Sequence, residues 1–262
     1  MNQLTPVVQK LLIINIAVFL ITILFHAIPT DFLVLHSYYS GEFFPTQFVT
    51  YMFMHGSFMH ILGNMFGVVI FGPLLERFLG SKKFLIMYFV SGIGAGILYW
   101  LVGAWELNNM YNEMVAYVNH PTPDALADYF GKHDKLTYQN NLLFFERFAH
   151  QPNNPAMIAE SVRSIKQSFT SSAGIGMVGA SGALFGLLTT FALLFPNTEL
   201  YMMFIPIPIK AKYLVTGYGV YELYRLIQDR PDDNVAHFAH LSGMLFAIIL
   251  VTYWKRQRNS FY

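Results

Sequence analysis

Cysteine is missing from all 262 residues, so structural disulfides, thiol catalysis and cysteine-ligated metal are excluded at once. Compartment stays open, because oxidising environments do not require disulfides. Charge is scarce too: Asp, Glu, Lys and Arg make up 12% of the chain and balance to a formal +1. No field of either sign speaks for nucleic acid as a partner. A His-Glu-x-x-His zinc motif does not occur, and no two aspartates sit in separate apolar segments to form an acid dyad. The Gly-rich pieces lack Gly-x-x-x-x-Gly-Lys, which leaves them weak as phosphate cradles. What the chain has in excess is hydrocarbon. Hydrophobic residues reach 55% and the mean hydropathy is +0.43, which describes a membrane protein.

Six segments approach the length needed to cross a hydrocarbon layer of roughly 30 Å. They are 9–27, 57–75, 84–103, 179–195, 208–228 and 236–254. The fourth is short, and the fifth has charges at both ends: Lys210 and Lys212, then Glu222 and Arg225. The first holds Lys10 and is followed by no small-residue cleavage site, so it reads as a retained helix. With the N-terminus in the cytoplasm, Arg77, Lys82, Lys83, Lys210, Lys212, Lys255, Arg256 and Arg258 fall on that side. The opposite short loops hold Asp31, Glu42, Asp232 and Asp233, so both termini are expected to be cytoplasmic.

Two connections are unusual. The stretch from about 26 to 50 is aromatic, with Phe32, Tyr38, Tyr39, Phe43, Phe44 and Phe48. It suits an interfacial belt, or an amphipathic element half in the outer leaflet. Residues 104–176 form a polar insert with short helices expected over 107–118, 124–131, 139–150 and 156–169. Pro121, Pro123, Pro152 and Pro155 punctuate them. The insert is too polar to span a membrane. The expected division is a six-helix core from 1–103 and 177–262, with 104–176 as an extracytoplasmic cap and possible protein docking site.

Within the core, four polar residues stand out. Ser181 lies between glycines in Gly179-Ala180-Ser181-Gly182 at the start of an apolar run. Small residues there also suit plain helix packing. His60 and Asn64 share one helical face, as a structural polar pair would, and supply neutral hydrogen-bond donors. His240 stands beside a small-residue stripe, Ala236, Ala239, Gly243 and Ala247, through which the fourth and sixth segments can approach closely. His237 lies three residues before it, with no carboxylate between; the only nearby acids in sequence are in the preceding loop. A hydroxyl, an imidazole to activate it and two donors for developing negative charge are the parts of an acyl-transfer site.

Taken together these motifs resemble the rhomboid family of intramembrane serine proteases, in its bacterial six-helix form. Gly179-Ala180-Ser181-Gly182 is similar to the family's Gly-x-Ser-Gly motif, and Ala239-His240-Leu241-Ser242-Gly243 to its Ala-His-x-x-Gly motif. His55-Gly56-Ser57-Phe58-Met59-His60-Ile61-Leu62-Gly63-Asn64 resembles the second-helix signature, and Glu76, Leu79 and Gly80 the turn that follows. The resemblance implies an all-α polytopic fold, Ser181 as nucleophile and His240 as general base in a dyad without an acid. It implies an oxyanion site formed by His60, Asn64 and the Ser181 backbone N–H. Phe185 would pack on the base, and Gly243 would admit close backbone approach. His237 would lie in a loop or support the base. No metal or organic cofactor is implied; the partners are single-span transmembrane substrates and membrane lipid, and the location a bacterial inner membrane. Thr46-Gln47 replaces the Trp-Arg of some relatives, so no loop-fixing role is carried over for that pair. The competing readings are a non-catalytic rhomboid-like protein that binds client helices and, more remotely, a polytopic transporter.

Overall fold

The computed structural model describes residues 4–24, 30–202, 205–228 and 236–257, with backbone alone at 202 and 205–207. In chain order come α1 (Pro6–Leu24), α2 (Gln47–Thr50), α3 (Phe58–Leu79), α4 (Ser81–Asn119), α5 (Pro123–His133), α6 (Lys135–Asn140) and α7 (Leu142–His150). Then follow α8 (Pro155–Ala173), α9 (Ser181–Leu194), a hairpin of β1 (Glu199–Met202) and β2 (Ile205–Lys210), α10 (Ala211–Gln228) and α11 (His237–Gln257). The end of the 9–27 run, Asp232, Asp233 and Arg258 lie outside the described residues.

The protein is an all-α polytopic bundle. Among the described residues α1, α3, α4 and α11 are long and apolar enough to cross a membrane. Apolar side chains such as Ile13, Leu24, Phe66, Leu101 and Ile249 face outward, as hydrocarbon surroundings allow. α9, with 14 residues, is shorter. It runs inside the bundle, packed against α3, α4 and α11, and those neighbours cover its length. α10 carries Lys212, Glu222 and Arg225 and packs on α11 and α9.

Boundaries differ from the sequence reading in three places. The helix expected over 107–118 is not separate: α4 continues for 39 residues, about 58 Å at 1.5 Å per residue. That is nearly twice the hydrocarbon thickness, so its C-terminal half projects beyond it. The helix expected over 139–150 breaks at Asn141 into α6 and α7. The segment beginning at 208 starts as strand β2, because Pro206 and Pro208 cannot donate to a helical ladder, and turns helical at Ala211.

Two apolar cores result. One joins α1, α3, α4, α9 and α11 through residues such as Val8, Leu75, Tyr88, Leu187 and Val251. The other lies in the insert, where Met110, Met114, Leu126, Phe130, Phe148 and Ile165 pack together. Local signals build the insert's helices. Thr122 accepts from Ala125 N–H and Asn154 from Ala156 and Met157 N–H, with Pro123 and Pro155 in the first turns. Tyr117 O–H donates to Ser161 Oγ at 2.5 Å, and Glu113 meets Lys132 and His133, so α4 is tied to α8 and α5.

Two buried polar side chains fix the connections. Glu76, near the end of α3, accepts from Val7 and Val8 N–H at 3.1 Å and from Ser81 Oγ at 2.6 Å. One carboxylate thereby caps the start of α1 and holds the one-residue turn at Gly80, whose φ is +79°. Gln47 organises the aromatic loop. Its Oε1 accepts from His36 N–H at 3.2 Å, while Nε2 donates to the carbonyls of Asp31 at 2.9 Å and Glu42 at 2.7 Å. The loop is then paired with the chain leading into α9: Leu35 and Met177 exchange two backbone hydrogen bonds of 3.0 Å. Where the sequence carried over no loop-fixing role, Gln47 has one of its own.

Two expectations follow. Gln47→Ala removes three hydrogen bonds to backbone groups of the loop, the one to His36 N–H buried, and should cost about 1–3 kcal/mol locally. Hydrogen–deuterium exchange should accelerate over 31–42 while α3 and α11 stay protected; equal exchange there would contradict this role. Gly243→Ala should lower the thermal midpoint in detergent, since its β-carbon would sit 2.0 Å from the Gly182 carbonyl oxygen and force α9 and α11 apart. Overpacking of that kind typically costs about 1–3 kcal/mol. An unchanged midpoint would contradict the packing.

Candidate active site

The site is built around the first turn of α9. Gly179 sits at φ +119°, a backbone region that side chains disfavour, and its N–H donates to Tyr51 O at 2.9 Å. That kink delivers Ser181 as the first residue of the helix, where the backbone N–H has no carbonyl four residues back within the helix to bind. Tyr51 is itself anchored, its hydroxyl donating to Gly92 O at 2.7 Å.

α3 supplies the second face. Ser57 caps that helix by accepting from His60 N–H at 3.1 Å, which aligns its first turns. A β-carbon on Gly179 would fall 2.5 Å from His60 Nε2 and 3.7 Å from Asn64 Nδ2. His60 therefore presses on the backbone two residues before Ser181, in space that only glycine leaves open, with Asn64 beside it at ordinary contact distance. Asn64 is buried, and its amide donates to His60 O at 3.1 Å, with a second amide hydrogen left over.

α11 supplies the third face. Its backbone meets α9 at Gly243 and Gly182, and the β-carbon of a residue at Gly186 would lie 3.3 Å from Gly243 O. The stripe of Ala239, Gly243 and Ala247 is the buried side of α11. One turn beyond Ser181, Phe185 lies flat on the His240 imidazole, with centroids 4.2 Å apart and 9° between planes. Stacking fixes the plane of the ring and leaves its two nitrogens at opposite edges. Among the described residues no hydrogen bond joins Ser181 Oγ to His240; contacts of this kind are often long without substrate.

One member was missed by sequence reasoning. Glu222, on α10, is buried and reaches both histidines of α11. Its Oε2 lies 2.5 Å from His237 Nδ1 and 3.0 Å from His240 Nδ1. The expectation that the only nearby acids were in the preceding loop is corrected, because α10 folds back antiparallel on α11 and brings residue 222 opposite 237 and 240. The available signal was a carboxylate within an otherwise largely apolar run, which in a membrane segment marks a functional suspect. His237 is buried against Glu222 and is not a free loop residue. Glu222, His237 and His240 each offer a ligand atom within 4.8 Å of the others, so among the described residues these three could hold a metal ion.

Comparison with known proteins agrees in outline. The Rhomboid domain profile matches residues 43–107 and 156–257, leaving out the middle of the insert. An uncharacterized mitochondrial rhomboid protein of Schizosaccharomyces pombe is 27% identical over 233 residues, covering 85% of this chain and 54% of that protein. The chain thus spans about half the length of that relative. YdcA of Bacillus subtilis, a candidate rhomboid protease, is 29% identical over 156 residues, covering 60% of this chain and 68% of its own. Rhomboid-like protease 3 of Toxoplasma gondii is 35% identical over 60 residues, 23% of each chain. With the profile covering well over half of a helical bundle whose long apolar helices suit a bilayer, the chain belongs to the rhomboid family of integral membrane proteins.

Proposed function

We propose that this protein is an intramembrane serine protease that hydrolyses peptide bonds in or beside the transmembrane helices of membrane-protein substrates. The observation that carries the reading is the convergence on the first turn of α9: His60 and Asn64 of α3 lie against Gly179, two residues before Ser181, and Phe185, one turn beyond it, is stacked on His240. The family includes serine intramembrane proteases, and relatives in Bacillus and Toxoplasma bear protease names, which supports the class of reaction.

In this reading Ser181 Oγ attacks the scissile carbonyl carbon as His240 takes the hydroxyl proton. The carbonyl oxygen, now negative, is held by the Ser181 N–H, the His60 imidazole and the spare hydrogen of Asn64 Nδ2. His240 returns its proton to the leaving amine, and water hydrolyses the acyl-enzyme by the same route. Phe185 restrains the imidazole, while Gly243 sets the distance between the two helices that carry nucleophile and base. The loop 30–54 is bonded to the lead into α9 at Met177 and Gly179, and in this reading water and an unwound substrate segment enter from that face. Its charge pattern makes that face extracytoplasmic and both termini cytoplasmic. The division into a core (1–103 and 177–262) and an insert (104–176) belongs to the same proposal. The insert has its own apolar core and serves as a docking cap for the extramembrane part of the substrate.

The full-length protein in liposomes with a single-span substrate provides the test. Ser181→Ala and His240→Ala should each abolish cleavage while the bundle stays folded, and a fluorophosphonate should label Ser181 in the wild type alone. Turnover by folded Ser181→Ala would end the proposal. Asn64→Ala should lower kcat with little change in KM, by about 3 kcal/mol in the transition state; normal kinetics would remove Asn64 from the oxyanion site. Replacing 108–168 with a flexible linker keeps Phe169, which packs on Tyr39, and Ala173, whose carbonyl accepts from Ser37 Oγ. Labelling of Ser181 should persist and cleavage of a natural substrate should fall. Loss of both in a folded protein would place the insert inside the catalytic architecture.

A further inference from the structure

Glu222 is a carboxylate buried in the membrane-embedded bundle, and such a group is costly unless paired. One partner would be enough to hold it, and His237 at 2.5 Å supplies that partner. The same oxygen also lies 3.0 Å from Nδ1 of His240. A carboxylate can only accept, so at Oε2 both imidazoles donate their Nδ1–H. Phe185 fixes the plane of the His240 ring from one face and Glu222 fixes its rotation from the Nδ1 edge. In a neutral ring that donates from Nδ1, the lone pair is on Nε2, at the opposite edge.

We propose that Glu222 is the third member of the catalytic apparatus, a positioning residue that makes the expected Ser–His dyad a Ser–His–Glu relay of fixed tautomer. The inference rests on the Ser181–His240 reading above. Glu222 holds His240 as the Nδ1–H form, so that Nε2 carries the lone pair. When the Ser181 Oγ–H bond breaks and Oγ bonds to the carbonyl carbon, the proton goes to Nε2 and the imidazolium faces an ionised carboxylate. When the C–N bond breaks, that proton leaves from Nε2 to the amine, and Glu222 stays ionised throughout. His237 holds the same carboxylate oxygen in place. The competing occupant of this cluster is a divalent metal, since a two-histidine, one-carboxylate set is a known zinc donor set. Bonds of 2.0–2.1 Å in tetrahedral array would separate the donor atoms by about 3.3 Å. Both nitrogen–oxygen distances here, 2.5 and 3.0 Å, are shorter than that spacing, and 3.0 Å at His240 is ordinary for a hydrogen bond.

The test uses the full chain in liposomes. Glu222→Gln keeps the volume and removes the charge. It should lower kcat substantially, by up to about 10⁴-fold, the loss that follows when a triad acid becomes an amide. KM should change by no more than about two-fold, since the lost interaction acts in the transition state. Fluorophosphonate labelling of Ser181 should slow in parallel, and Glu222→Asp should recover part of both rates. A purely structural carboxylate would instead alter the thermal midpoint and leave kcat of the folded fraction intact, which would overturn the proposal. A second measurement needs no variant at Glu222. In ¹⁵N-histidine NMR of the Ser181→Ala protein, His240 should be the Nδ1–H tautomer, assigned by its loss in a Ser181→Ala, His240→Ala double variant. An Nε2–H tautomer would overturn the assignment even if Glu222→Gln did not fold. Stoichiometric zinc in the wild type, lost in Glu222→Gln, together with activity abolished by chelation, would replace the relay with a metal site. Cleavage by Ser181→Ala would instead defeat the underlying serine mechanism, an outcome separate from all of these.

Discussion

Gly182 and Gly243 bring the backbones of α9 and α11 so close that a β-carbon at 243 would stand 2.0 Å from the Gly182 carbonyl oxygen. Membrane helices gain little from burying hydrocarbon in hydrocarbon, so close approach through small residues is their main way to associate tightly. Here that contact does more than hold two helices. It sets the separation of Ser181 from His240, places Phe185 flat on the imidazole, and lets α9 remain short inside a ring of longer helices. A side chain at Gly243 would separate these groups together, while one at Gly182 would meet Ala95 of α4 at 2.7 Å.

The surrounding irregular chain is fastened by few but well-buried polar groups. Gln47 gathers three backbone groups of the aromatic loop, and the Leu35–Met177 pair joins that loop to the lead into α9. Tyr51 is both anchored on Gly92 and bonded to the Gly179 N–H, so the loop's last turn shapes the kink before Ser181. Where water is scarce an unpaired amide is expensive, so each of these bonds also prevents a larger penalty.

Two buried carboxylates solve different problems by the same chemistry. Glu76 accepts from the open N–H groups at the start of α1 and from Ser81, which locks the α3–α4 turn. Glu222 accepts from two imidazoles and so joins α10 to the helix that carries His240. Each charge tolerates its surroundings because several donors converge on it.

Composition and the length of the apolar runs were enough to determine a polytopic helical membrane protein, since hydrocarbon permits only helices or closed barrels. Motif spacing was enough to identify the family and to single out Ser181, His240, His60 and Asn64, because i, i+4 positions share a helical face. The continuity of α4 into the insert was hidden: a helix leaving the bilayer changes composition without changing its backbone. The strand at 205–210 was hidden too, because it depends on pairing with β1. Gln47 looked like a departure from a pattern, and only folding showed which backbone groups it reaches. Glu222 lies 18 residues from His240 and 15 from His237, separations that no local period connects. Tertiary packing of α10 against α11 decided that pairing, because hydrogen bonds act over about 3 Å in space and are indifferent to distance along the chain.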